Sequence, residues 1–141
     1  YGAENPGGQG SYFASVINAA QAALTSGGRP LVQNVIIFVS DGDANKYTGG
    51  PSNPCRQAIT AGQAATAAGT WVYSVAYGAS TSSSSTCVDD SPRISAYDTM
   101  RQIASDSKKF FSQPASGDLT AAFRQIGQSL LTTRLLDDGT S

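Results

Sequence analysis

The 141-residue chain contains no histidine, and that absence removes much of the chemistry open to a domain of this size. Without an imidazole, neither a Ser-His-Asp nor a Cys-His-Asn arrangement can form within the chain, nor can a histidine-ligated zinc site. Charge is scarce as well: 13% of residues are charged, and the formal net charge is -1. Such a surface argues against nucleic acid and against an anionic membrane, because both are held by basic patches that release counterions. No apolar run approaches the roughly 18 residues that span a bilayer, so no membrane-spanning segment and a soluble piece are expected. The chain opens at Tyr1 without a basic and then apolar leader, so any signal or anchor is expected to have been removed or never to have been part of it. Gly-x-Ser-x-Gly and Gly-x-x-x-x-Gly-Lys-Ser/Thr strings are missing too. With no nucleophile elbow and no phosphate loop, a non-enzyme is expected.

What is present suffices for one core, since 40% of residues are hydrophobic. Helix and strand patterns alternate. Phe13, Val16, Ile17, Ala20 and Leu24 fall at helical spacing and stop at Gly27-Gly28. Val35-Ile36-Ile37-Phe38-Val39 is too short for a helix and reads as a strand buried on both faces. Pro54 suits the first position of an alanine-rich helix that ends at Gly69 and can lie close against a sheet. Residues 71–77 read as the next strand, followed by a Ser/Thr-rich loop from Ser80 to Thr86 that looks mobile. Ser95 can cap a third helix bearing Tyr97, Met100, Ile103 and Ala104, and Lys109-Phe110-Phe111 is a short third strand. Asp118 or Ser116 can cap a last helix with Leu119, Ala122, Phe123, Ile126 and Leu130 on one stripe. Strands joined through helices make parallel, right-handed crossovers, so the expected fold is an open α/β sheet with helices on both faces.

Ligands of such sheets gather at the carboxyl ends of the strands. Ser40-Asp41-Gly42-Asp43-Ala44-Asn45 follows the first strand. Asp41 there could face a hard cation such as Mg²⁺, which favours oxygen ligands. The alternative is that Asp41 and Asp43 simply shape a turn. Ser11 reads by itself as a helix N-cap. Cys55 opens the second helix just past the Asp41 loop, and Cys87 leaves the neighbouring strand, so a bridge over the top of the sheet is expected. Two buried free thiols are the alternative. Abundant Ser, Thr, Asn and Gln with few charges suits an exported protein in an oxidising, extracytoplasmic compartment. Trp71 reads as core, Lys108-Lys109 and Arg134 as solvated surface, and Tyr12 as packing or a partner contact.

Val35-Ile-Ile-Phe-Val-Ser-Asp-Gly-Asp-Ala-Asn45 closely resembles the fourth strand and following loop of von Willebrand factor A (vWA) domains. Gly8-Gln9-Gly10-Ser11-Tyr12-Phe13 resembles that family's Gly-Gly-Thr-Asn-Ile segment, with Ser11 where Thr is usual. Residues 71–78, 103–111 and 118–126 are similar to its fifth strand, its late helix-to-strand step and its closing helix. The placement of Cys55 and Cys87 with Asp-Gly-Asp-Ala-Asn is most similar to bacterial TadE/TadG-like pilus-assembly proteins. The resemblance implies a three-layer, Rossmann-like open parallel sheet, incomplete, with strands equivalent to the fourth, fifth and sixth. It implies a divalent-metal adhesion site (MIDAS) with Ser11 and Asp41 as metal ligands. The ion would be Mg²⁺, or Mn²⁺ or Ca²⁺, and a partner protein's acidic side chain would complete its coordination.

One departure matters. The family's Asp-x-Ser-x-Ser signature is absent, and Asp89-Asp90-Ser91-Pro92-Arg93 is only the nearest string. Residues 1–136 are therefore expected to be a partial vWA domain lacking its N-terminal half, with 137–141 a polar, frayed tail. Metal binding by this chain alone should be weak or absent, and the first strand should keep a bare edge. The expected function is an extracytoplasmic protein-binding or adhesion module. The alternative is a metal-independent structural component of a pilus-assembly or cell-surface complex.

Overall fold

Stretches with apolar residues at helical spacing and short, largely apolar runs alternate along the chain, and in the computed structural model they become helices and strands in that order. Residues 11–29, 31–45, 52–114 and 117–139 are described, with side chains of the last helix described to residue 132. In order they form α1 (Phe13–Gly27), β1 (Val35–Ser40), α2 (Pro54–Ala67), β2 (Trp71–Tyr77) and α3 (Ala96–Ile103). A 3-10 turn (Ser107–Lys109), β3 (Phe110–Gln113) and α4 (Leu119–Gly139) complete the set. The three strands form one parallel sheet in the order β1-β2-β3. Val35 lies opposite Trp71, Val39 opposite Val75, and Ser74 opposite Phe110. This is the expected mixed α/β architecture, an incomplete Rossmann-like open sheet.

Because side chains alternate across a strand, the sheet divides its residues between two cores. Ile36, Phe38, Val72 and Ala76 meet Phe13, Ile17, Ala58, Ala65, Met100 and Ile103 on the side covered by α1, α2 and α3. Tyr73 and Val75 meet Ala122 and Ile126 of α4 on the other side, with Val35, Trp71 and Phe111 around them. Small residues let α2 sit close to its neighbours. A Cβ added at Gly62 would stand 2.6 Å from the Ile103 carbonyl oxygen, so only glycine permits that contact between α2 and α3. The alanines divide likewise: Ala58, Ala61 and Ala65 are buried, whereas Ala64, Ala67 and Ala68 face out.

Several expectations need correction. β1 is not buried on both faces, since Ile37 is 43% and Val39 39% exposed. Both share a face with Tyr73 and Val75, but among the described residues α4 covers that face over β2 rather than over β1. Val16 and Phe123, placed on apolar stripes by spacing, are largely exposed. Lys109 is not solvated surface: its ammonium pairs with Asp106 at 2.6 Å and lies 4.9 Å from the Trp71 ring centre. Trp71 itself packs against the Tyr73 core, as expected. The Ser80–Thr86 loop is laced by its own hydroxyls, with Ser80 Oγ accepting from the Ser82 amide and Thr86 Oγ1 donating to the Ser82 carbonyl. α4 runs through Gly139. Ser116 and the side chain of Arg134 lie outside the described residues.

Candidate functional site at the carboxyl end of the sheet

The strand register sends the loops after β1 and β2 to the same end of the sheet, and the candidate residues collect there. The turn after β1 depends on Gly42. Its φ is +84°, and an added Cβ would lie 2.5 Å from the Ala96 carbonyl oxygen, so backbone of the α3 start presses against it. Ser40 Oγ accepts from the Gly42 amide at 3.2 Å and reaches Asp41 Oδ1 at 3.4 Å. Asp41 Oδ1 also accepts from the Asp43 amide at 3.3 Å. The exposed Asp41 carboxylate is thus oriented by its own turn while still facing solvent.

Ser11 reaches this loop through its backbone. Its amide donates to Asn45 Oδ1 at 2.7 Å, and its carbonyl accepts from the Asn45 amide at 3.1 Å. The two stretches that sequence reasoning paired, 34 residues apart, are brought together. Ser11 is not the helix cap, however. The N-cap position of α1 is Tyr12, whose side chain makes no cap hydrogen bond. Tyr12 is half-buried against the core and also lines a groove of about 480 Å³ between α1 and α2, with Asn18, Arg56 and Gln57.

The expected bridge is present. Cys55 and Cys87 form a disulfide with Cα atoms 5.9 Å apart, and both residues are fully buried. It ties the first turn of α2 to the loop after β2. Asp43 adds a second tie, because its Oδ1 accepts from the Cys87 amide at 2.8 Å. Asp43 therefore binds the neighbouring loop rather than serving only its own turn.

Asp90 was visible in the sequence only as part of a poor match to Asp-x-Ser-x-Ser. Its carboxylate is buried and receives the Cys55 amide at 3.0 Å and the Arg56 amide at 2.9 Å. It is the true cap of α2, matching an anion to the partial positive charge of a helix start. Arg56 in turn donates through Nε and Nη2 to the Pro92 carbonyl, and Asn53 Oδ1 accepts from the Ser91 amide. Position 90 lies 35 residues from its partner, so no local signal could have revealed the cap. Elsewhere Ser95 caps α3 by accepting from the Asp98 amide, and Asp118 Oδ1 accepts from the Thr120 amide at the start of α4, as expected.

Chemically, the site offers oxygen ligands and structural ties. Ser11 carries a hydroxyl and Asp41 a carboxylate, donor types that Mg²⁺, Mn²⁺ and Ca²⁺ accept, but two donors are few for ions that take six or more. No protein-family model, curated protein or solved structure matches the chain.

Proposed function

We propose that the chain is part of a vWA-type protein-binding module that works outside the cytoplasm and performs no catalysis. The observation that carries this reading is the pair of hydrogen bonds between Ser11 and Asn45, which holds Ser11 against the loop bearing Asp41. In this reading Ser11 and Asp41 hold a divalent cation, and the cation offers an open position to a carboxylate of the partner protein. The buried disulfide suits an extracytoplasmic setting, and among the described residues no helix is long and apolar enough to cross a membrane. Calorimetric titration with Mg²⁺ and Mn²⁺ tests the metal part. Two protein ligands should give no more than millimolar binding, and Asp41→Ala should abolish it. Binding that survives Asp41→Ala unchanged would remove the metal reading.

A second reading is favoured by a different observation. Ile37 and Val39 form an exposed apolar face on an edge strand with no neighbour on its outer side among the described residues. A rigid, metal-independent component of a pilus-assembly or cell-surface complex would cover that face with another subunit. Chain that associates through β1 and shows no Asp41-dependent metal binding would support this second reading over the first.

A further inference from the structure

A carboxylate outside the Ser11–Asp41 pair lies beside the disulfide. Asp43 and the sulfurs of Cys55 and Cys87 each place one ligand atom within 4.8 Å of the others. They come from three separate segments: the loop after β1, the first turn of α2 and the loop after β2. Two carbonyls close in as well. Gly42 O lies 3.6 Å from Cys87 Sγ and 3.7 Å from Cys55 Sγ, and Ala44 O lies 3.6 Å from Cys55 Sγ. Both cysteines are fully buried, and Asp43 is half-buried. Two sulfurs and a carboxylate, with carbonyls close to the sulfurs, form a donor set that suits tetrahedral Zn²⁺.

We propose that reduction of the Cys55–Cys87 bridge opens a latent Zn²⁺ site whose protein ligands are both thiolates and the Asp43 carboxylate. A carbonyl of Gly42 or Ala44, or a water, fills the fourth position. The reductant is a dithiol. One of its thiolates attacks a bridge sulfur, its second thiol displaces the mixed disulfide, and the protein gains two thiols while the dithiol becomes a disulfide. Each cysteine thiol loses its proton on binding, so each Zn²⁺ taken up releases two protons. With Zn–S bonds of about 2.3 Å, two thiolates stand roughly 3.8 Å apart. Cα atoms 5.9 Å apart reach that spacing by side-chain rotation. The same three segments are then held by a covalent bridge when oxidised and by a metal when reduced. Asp41 is not among these ligands, although its carboxylate orients the turn that carries Asp43.

The test uses the whole chain, reduced without oxygen by a water-soluble phosphine. The phosphine takes its oxygen from water as the bridge becomes two thiols, and it adds no competing thiol. Co²⁺ is the probe. The expected result is one equivalent bound, with visible bands of a tetrahedral ion and a sulfur-to-metal charge-transfer band, all bleached by one equivalent of Zn²⁺. The oxidised chain should show none of this. Asp43→Asn keeps an acceptor for the Cys87 amide, so the loop contact survives. It should retain the sulfur band and weaken Co²⁺ by more than the roughly 100-fold upper limit that loss of an outer hydrogen-bond partner alone costs. Asp106→Asn, before β3 at the opposite end of the sheet, should bind as the unaltered chain does. The proposal is overturned if the reduced chain gives no tetrahedral spectrum, or if Asp43→Asn binds as tightly as the unaltered chain. It is equally overturned if Asp106→Asn weakens binding as much as Asp43→Asn.

Discussion

Asp41, Asp43 and Asp90 lie at one end of the sheet, and each carboxylate has a different set of partners. Asp41 is exposed and orients its own turn, Asp43 fastens the loop after β2, and Asp90 is buried against the first amides of α2. Asp90→Ala leaves those two amides without their acceptor. It should cost about 2–3 kcal/mol in urea unfolding, more than an ordinary exposed cap, because the site is buried. Gly42→Ala should be at least as damaging, since it adds a Cβ at positive φ against the Ala96 backbone. Asp106 provides a pH test. Its hydrogen bond from Lys109, with that ammonium's charge, holds its carboxyl below the ordinary 3.8. A depressed carboxylate contributes stability that is present above its unfolded value and is lost as pH falls through the lower folded value. Lys109→Met should therefore move the Asp106 titration, followed by carboxyl-carbon NMR, back up towards 3.8. Asp41 and the Cys55–Cys87 pair were legible in the sequence because each sits in or beside a strand-end loop. Asp90 was not, because a buried acid that caps a distant helix has the same spelling as a solvated one.

The helices were legible from apolar residues at helical spacing, and the strands from the short, largely apolar runs between them. The faces they bury were less so. The run from Val35 to Val39 is apolar throughout, which suits a strand covered on both sides, yet burial needs a covering element as well as apolar side chains. α1, α2 and α3 cover Ile36 and Phe38, whereas Ile37 and Val39 remain open. Stability measurements should separate the two faces. Phe38→Ala should cost about 3–5 kcal/mol as a core truncation, whereas Ile37→Thr, which keeps the β-branch, should cost less than about 1 kcal/mol. Comparable losses at both positions would mean that the outer face of β1 is covered in solution. The 3.6 period of α4 misplaced Phe123 for a related reason: only Ala122 and Ile126 of its stripe reach the Tyr73 and Val75 surface fully.

On the scale of the whole molecule, the ties that draw together the loops at the carboxyl end of the sheet include the disulfide, the Asp43–Cys87 contact, the Asp90 cap and the Ser11–Asn45 pair. The bridge closes a sequence separation of 32 residues. Reducing it in the presence of a chelator should lower unfolding stability by about 3–4 kcal/mol on the chain-entropy account. Those ties give the metal reading its central claim, that Ser11 and Asp41 form one cation site. Paramagnetic broadening of amide signals by low Mn²⁺ measures this most directly, since it registers even weak binding residue by residue. Broadening should concentrate on Ser11, Tyr12 and the stretch from Ser40 to Asn45, and it should vanish from both stretches in Asp41→Ala. Broadening spread evenly over Asp89, Asp98, Asp106 and Asp118, or unchanged by Asp41→Ala, would contradict the account.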